Sequence, residues 1–499
     1  MDNMVGVISY GLGTLAAFAI MAWLVIAIVQ DVTQKKHTVL RNYPVIGRLR
    51  FFFEDLGEYF RQYFFAGDRD EMPFNRATRA WVYREAKNEG GIVGFGSTND
   101  LREPGNILFV NHPYPILEED RLPTPSMIIG EGYCKLPFEA RSIVNISGMS
   151  FGAISEPAVR ALSMGAADAG CWMDTGEGGL APHHLEGKCD IIMQMGTAKY
   201  GMRDLHGNFS PEKVKELAQV VKAFEIKLSQ GAKPGKGGVL PAAKVTEEIA
   251  RIRGIPAGVD SISPNRHRDI ANVHDLLDKV AYLRDLTGRP VGIKTAIGGW
   301  DFANDLCEEI LRRGLEYAPD FLTIDGAEGG SGAAPQTLMD HMALSITEAL
   351  PRVVDSLIQA NLKSRVCVIA SGKLVTSARA AWALCVGADF INTARGFMFA
   401  LGCIQAMRCH MNTCPTGVTT HNKRLQRGLV VEEKYVRVAN YCKNINKEID
   451  MIAHSCGLRH AREFTREHVR LVQTANQSIA LNMLHPYPEI GARGPARDH

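Results

Sequence analysis

Neither sign of charge dominates this 499-residue sequence: 56 Lys and Arg stand against 54 Asp and Glu, a formal net charge of +2. Without a basic excess there is no electrostatic footprint of a nucleic-acid surface, so nucleic acid is not expected as a partner. Cysteine is absent until residue 134, and the total of 11 is odd and dispersed. That distribution argues against a secreted disulfide scaffold and for a reducing compartment. Internal repeats and low-complexity segments are missing too, and no G-x-G-x-x-G follows the first candidate strand. The last absence counts against a doubly wound dinucleotide-binding sheet.

Charge is missing altogether from Met4 to Gln30, "MVGVISYGLGTLAAFAIMAWLVIAIVQ". About 20 apolar residues cross the hydrocarbon core of a bilayer, so the stretch is long enough for a single-pass anchor. A cleaved signal peptide wants a basic start, whereas only Met1, Asp2 and Asn3 precede it. A buried helix is the other alternative. Lys35, Lys36, Arg41, Arg48 and Arg50 follow. Positive residues stay on the cytoplasmic side, so the expectation is a membrane-anchored protein with its catalytic bulk on the cytoplasmic face. Next, Phe51–Phe53, Tyr59, Phe60 and Tyr63–Phe65 interleave with charges. Such rings suit the headgroup region, or they pack on the catalytic domain; the sequence leaves both open.

What is plentiful is glycine, 48 residues, in a chain that is 46% hydrophobic. That composition suits a large enzyme core rich in loops. From about residue 140 a strand, a Gly-rich turn and a helix recur. Candidate strands cover 142–147, 170–174, 190–195, 224–228, 258–263, 290–295, 320–325, 366–371 and 388–393. They are short apolar runs without alternation, the mark of parallel strands buried on both faces. Eight or nine such units predict an α/β fold, a (β/α)₈ TIM barrel, with an open sheet as runner-up. The expected organisation is an anchor at 4–30, a membrane-proximal region at 31–139, the barrel at 140–402, a helical extension at 403–480 and a tail at 481–499. Glycine-rich turns follow late strands at "DGAEGGSGAAP", "SGKL" and "ARGF", and Lys294 ends another strand. In barrels such loops admit phosphate, because glycine lets backbone N–H groups approach its oxygens.

"GCIQAMRCHMNTCPTGV" places Cys403, Cys409 and Cys414 at intervals of six and five residues. Taken alone the loop suits an iron–sulfur cluster, a zinc site completed by His410, or cysteines that merely pack.

Six collinear blocks resemble the synthase region of glutamate synthase: "SGMSFGAIS", "DTGEGG", "KLSQGAKPGKGG", "KVTEEIARIR", "ISPNRHRDI" and the three-cysteine loop. The resemblance covers roughly residues 140–460. It implies a barrel holding FMN beside a [3Fe–4S] cluster, with Cys403, Cys409 and Cys414 as its thiolate ligands. It implies an FMN site at Ser150, Thr175, Gln194, Gln230 and Lys294, with the phosphate on Gly329, Gly330, Gly372, Arg395 and Gly396. It implies a 2-oxoglutarate site at Glu177, Lys227, Lys233 and Arg253, with Lys233, Glu177 and Lys294 closest to the chemistry. Salt bridging is the alternative role for Lys227 and Arg253. The implied activity is reduction of an imine by hydride from the flavin, acting in the CH–NH2 class.

This chain departs from the family pattern in the substrate elements. Val239 stands where Gln is usual, Lys236 where Glu is, Arg266 and Arg268 where Pro and His are, and Ala327 and Glu328 where His and Asp are. No N-terminal-nucleophile glutaminase and no NAD(P)H-binding fingerprint is found. The expectation is therefore an external electron donor, ferredoxin-like or a membrane redox protein, and a separate source of ammonia or an amine. A homo-oligomer is left open. The rival expectations are the same machinery on another amine or keto acid, and a non-catalytic electron-transfer subunit of a membrane complex.

Overall fold

The structure, a computed structural model, describes residues 2–204, 206–299 and 301–491. The last residues of the expected 481–499 tail lie outside that set. Two compact units divide the chain, residues 1–77 and 78–499, so the boundary falls inside the expected 31–139 region.

The first unit begins with a helix over Asp2–Thr33. Its segment Gly11–Thr33, 23 residues, is long and apolar enough to cross a membrane by length and composition alone. A second helix, Ile46–Phe60, is tied back to the first. Asp31 accepts the Val45 amide at 2.9 Å and the Arg48 guanidinium at 2.8 Å. Along this helix and the turn after it, Ile46, Leu49, Phe53, Phe60 and Phe64 are exposed. Their spacing puts them on one stripe of the helix.

The second unit holds a closed barrel of eight parallel strands. In chain order these are β1 Val144–Ile146, β2 Met173–Asp174, β3 Ile191–Met195, β4 Ala223–Lys227, β5 Val291–Thr295, β6 Phe321–Asp325, β7 Cys367–Ser371 and β8 Phe390–Thr393. Ile391 opposite Val144 closes the ring between β8 and β1. Eight of the nine candidate strands are thus barrel strands. The ninth, 258–263, contributes only Ser261–Ile262, which pairs antiparallel with Val239–Leu240 outside the barrel. Its sequence has strand-forming residues, but only two of them pair, and they close a short antiparallel ladder inside the connection from β4 to β5.

The barrel interior is layered. Trp172, Ile192, Ala223, Phe321, Ile369 and Phe390 form one apolar cluster. Gly292 makes room for it, since a Cβ there would lie 2.2 Å from the Phe321 ring. At the amino-terminal ends of the strands, buried Asp320 bridges Arg284 at 2.9 Å and Arg365 at 3.1 Å. A cavity of about 630 Å³ lies at that end, lined by Tyr133, Asp320, Arg365 and Asp389 among others. In a barrel this face serves stability, whereas chemistry sits at the carboxyl ends.

Beyond the barrel the extension is not all helix. Helix Val431–Ser455 packs on helix Glu156–Ala169. A Cβ at Gly165 would sit 2.4 Å from Val438, so glycine permits that crossing. Strands Val469–Thr474 and Gln477–Ala480 then form a three-stranded sheet with Ile107–Phe109. The partner strand is more than 350 residues earlier by the register Leu471 opposite Ile107, a pairing local periodicity does not reveal.

Candidate active site

Two residues further along the same strands, the barrel interior turns from apolar to polar, because side chains alternate with period two. Asp174, Gln194, Glu225, Thr323, Ser371 and Asn392 are all buried. Gln194 donates its amide N–H groups to Asp174 at 3.2 Å and Glu225 at 2.6 Å. The Thr323 hydroxyl donates to Glu225 at 2.6 Å, and the Ser371 hydroxyl donates to Asp325 at 2.8 Å. Lys294 enters this layer from β5, 5% exposed, with the Ser147 hydroxyl at 3.3 Å. Burial works against its charge, but Asp325, Glu225, Asp174 and Glu177 outweigh it and raise its pKa. Asp174 goes the other way: burial and then the Glu225 charge push its pKa well up. The layer therefore holds more carboxyl groups than cations, and burial beside Glu225 favours the protonated form of Asp174. Asn392 keeps an unpartnered buried amide oxygen.

The rim above gathers charged groups from the turn after β2, the end of β4 and the long connection that follows β4. Glu177, on the turn after β2, lies 3.3 Å from Lys227 at the end of β4. Burial opposes ionisation of Glu177, but Lys227, Lys233 and Arg253 hold its pKa down. Lys233 is 6% exposed. Its ammonium has no hydrogen bond or ion pair among the described residues, and burial draws its pKa down. Arg253, in the last turn of helix Glu247–Arg253, donates to Ser261 at 3.1 Å and to the Phe151 carbonyl at 3.3 Å. Its Nε is buried without a partner. Ser150 lies 3.5 Å from this guanidinium. Glycines fence the slot: a Cβ at Gly196 would approach Glu177 Cβ to 2.6 Å, and one at Gly238 its Oε1 to 2.5 Å. Val239 is half-buried beside it, paired with Ile262.

The expected flavin residues are gathered here, with some side chains already engaged. Thr175 donates to the Gly176 carbonyl at 2.9 Å and accepts the Gln194 backbone N–H at 3.1 Å, so its side chain braces the turn. Gln194 has both amide N–H groups on carboxylates and retains only its carbonyl oxygen. Gln230 accepts from Lys227 and donates to the Gly330 carbonyl at 3.1 Å. Gly330 would bring a Cβ within 3.0 Å of Arg395 Nε, and Gly372, at φ 129°, one within 3.2 Å of the Gly326 N. Gly329 and Gly396 have packing reasons of their own, against Asp325 at 2.4 Å and Tyr441 Oη at 2.2 Å. Arg395 donates to the Glu328 carbonyl. Burial brings its pKa down to about 10, against the pull of Asp325 and Glu328. A guanidinium beside glycine backbone is a donor set for phosphate.

After β8 the chain enters the cysteine loop. Cys403, Cys409 and Cys414 line one cavity of about 10 Å³, with Thr416 and Thr419 in its wall. The Tyr83 hydroxyl anchors the Cys403 carbonyl at 2.6 Å. Gln405, Met407 and Asn412 adopt left-handed backbone with φ of 59°, 51° and 59°. Burial pushes the Cys403 thiol up to about 12. Burial also acts on Cys414, but the Thr416 hydroxyl, 3.4 Å from its sulfur, helps to bring that thiol below its ordinary value. The Thr419 hydroxyl also acts on the Cys409 and Cys414 thiols, working to lower both. Among the described residues no three His, Cys, Asp or Glu side chains converge as for one metal ion. Lys244, 2% exposed, lies against the loop and donates to the Ala153 carbonyl at 2.6 Å and the Cys409 carbonyl at 3.2 Å.

Asp174, Glu225, Asp325 and Lys244 are the residues that sequence reasoning passed over. A charge inside a buried strand, as in "AFEIK", was the available signal for Glu225. Nothing local marks Lys244.

Residues 101–459 match the conserved region in glutamate synthase. The glutamate synthase large subunit-like protein YerD of Bacillus subtilis is 39% identical over 97% of this chain and 99% of its own length. The archaeal glutamate synthase [NADPH] of Methanocaldococcus jannaschii is 35% identical over 63% of this chain, which spans 59% of that relative. Among solved structures, an active mutant of (S)-mandelate dehydrogenase covers 78% of this chain and 98% of its own, at 13% identity and a TM-score of 0.47. That last likeness adds nothing to the reading of the site. With the family region spanning the whole barrel and the cysteine loop, and a full-length relative at this identity, the chain belongs to the glutamate synthase family.

Proposed function

We propose that this protein is a membrane-anchored oxidoreductase that binds FMN at the barrel's carboxyl end and a [3Fe–4S] cluster in the cysteine loop. Its reaction is reduction of the imine of 2-oxoglutarate to an amino acid. One observation carries the reading. Lys227, Lys233 and Arg253 face a single carboxylate, Glu177, and the group is left with two positive charges in a nearly closed slot. A dicarboxylate dianion is the complementary guest. Lys233 and Arg253 take its carboxylates through charge-assisted hydrogen bonds, and the orphaned Nε of Arg253 gains an acceptor. Glu177 orients Lys227, and the glycine walls exclude water.

FMN, when bound, supplies hydride to the imine. Lys294 would hold the polar edge of its ring, Arg395 with the backbone at Gly330 and Gly372 its phosphate, and the free oxygen of Asn392 accepts an N–H. In the cysteine loop the donor set suits a cluster better than a single ion. Cys403, Cys409 and Cys414, which line one cavity, would hold the cluster through their thiolates, the ligand type iron–sulfur clusters take. At about 10 Å³ the cavity takes the cluster only with the loop moved outward. Electrons come from an external donor and the amine from a separate source.

The stripe of Ile46, Leu49, Phe53, Phe60 and Phe64, with Arg50 and Arg61 beside it, is the composition of a helix lying in a membrane interface. Together with segment Gly11–Thr33 and the basic residues after it, it supports anchoring on the cytoplasmic face.

A second reading, reduction of a less polar keto acid, is favoured by Val239, which offers methyl groups where a glutamine amide would donate. Purified protein should release FMN on heating, identified by mass spectrometry, and contain about three irons per chain. Supplied with a reductant, 2-oxoglutarate and ammonia, it should form glutamate. FAD or no flavin, zinc as the sole metal, or no turnover of any keto acid overturns the reading.

A further inference from the structure

Lys244 is a buried ammonium with no carboxylate within 4 Å among the described residues; its hydrogen bonds go to two backbone carbonyls. A buried cation that lacks an anion is costly, and carbonyl dipoles compensate it only in part. The acidic groups near it are thiols, those of Cys409 and Cys414. Its two acceptors belong to different loops. Ala153 is in the loop after β1, whose Phe151 carbonyl holds Arg253. Cys409 is in the cysteine loop.

Other bonds run along the same seam. The Asn412 amide donates to the Ala243 carbonyl at 2.9 Å, and its carbonyl oxygen accepts the His421 backbone N–H at 2.7 Å. The His421 ring meets the Gly152 carbonyl at 2.9 Å. The loop that carries the thiols is thus laced to the loop whose Phe151 carbonyl holds the carboxylate-binding arginine, with Lys244 as a charged lace.

We propose that Lys244 is a positioning residue. It clamps the cysteine loop to the β1 loop and supplies a fixed positive charge to the thiolate-bound cluster, favouring the cluster's more negative, reduced state. The proposal rests on the iron–sulfur reading above. A cation several ångströms from a redox centre in a partly desolvated site shifts its reduction equilibrium on the order of tenfold. For a one-electron couple that is about 59 mV.

The test is a potentiometric titration of the purified full-length protein, followed by electron paramagnetic resonance, on wild type, Lys244→Gln, Lys244→Met and Lys244→Arg. Iron and flavin content are measured alongside. The expected result is a potential about 59 mV more negative in Gln and Met, with Arg close to wild type. If the neutral variants fail to assemble the cluster while Arg assembles it, the charge requirement also holds. Equal potentials in all four proteins overturn the proposal, as does loss of iron in Arg as well, which would leave a packing role only. Wild type without iron would sink the iron–sulfur reading itself, a result distinct from either.

Discussion

The barrel interior contains two layers two residues apart on the same strands, and they teach opposite lessons about burial. The lower layer, Trp172, Ile192, Ala223, Phe321, Ile369 and Phe390, is apolar and close-packed. The upper layer places Asp174, Gln194, Glu225, Lys294 and Thr323 at equal or nearly equal depth. Closely packed apolar side chains stabilise the fold with no partner but each other. Buried charges do so only when matched, and the upper layer is left with excess carboxyl groups, an Asp174 pushed toward its protonated form and an Asn392 oxygen unpartnered among the described residues. The contrast with Asp320 at the opposite mouth sharpens the point, since both of its oxygens are bonded to arginine. Incomplete matching is the property on which the proposed flavin-binding role of the upper layer rests.

The largest expected effect is in the lower layer. Phe321→Ala should cost about 3–5 kcal/mol of stability, read by denaturant unfolding, while the protein that remains folded still binds flavin. A comparable loss of flavin in folded protein would break the separation of the layers. In the upper layer, Lys294→Met should lower turnover about 100-fold or more and deplete bound flavin. Full flavin content and turnover in that variant would remove Lys294 from the site. On the rim, Arg253→Lys keeps the charge but loses the fork, and should raise KM for the keto acid about tenfold with little change in unfolding midpoint.

The smallest effect concerns pH. Asp174 has a folded pKa well above its ordinary 3.8, so the folded state binds more protons in the window from pH 3.8 upward to that raised value. Stability therefore falls as pH rises through the window. Asp174→Asn should flatten this slope, seen as unfolding midpoints that change less with pH than in wild type. Glu177 has the opposite sign: its lowered pKa contributes stability that is present above pH 4.5 and lost as pH falls through the folded value.

The barrel was legible because its strands are short apolar runs bounded by glycine, and eight of nine candidates joined it. The failures have physical causes. Residues 258–263 resemble a strand in composition, yet their partner is a two-residue segment 21 positions earlier by the register Leu240 opposite Ser261. The segment 469–480 reads as part of a helical extension in sequence, because the partner that makes it a strand, Ile107–Phe109, is remote along the chain. In the site, the Glu177, Lys227, Lys233 and Arg253 group was legible through its blocks. Glu225 was hidden because a single charge in an apolar strand carries no motif, while Asp174 and Asp325 open glycine-rich turns whose other residues drew the reading. Lys244 was hidden because its meaning depends on two loops that meet only in three dimensions.

The central claim is that the rim's surplus of positive charge binds a keto dicarboxylate beside a reduced flavin. Its most direct test is anaerobic stopped-flow reoxidation of the reduced protein by 2-oxoglutarate with ammonia, in wild type and in Lys233→Ala. Wild type should reoxidise faster than a control without substrate, and Lys233→Ala should not, while retaining its flavin. Reoxidation at the control rate in wild type, across a panel of acidic and neutral keto acids, would contradict the account.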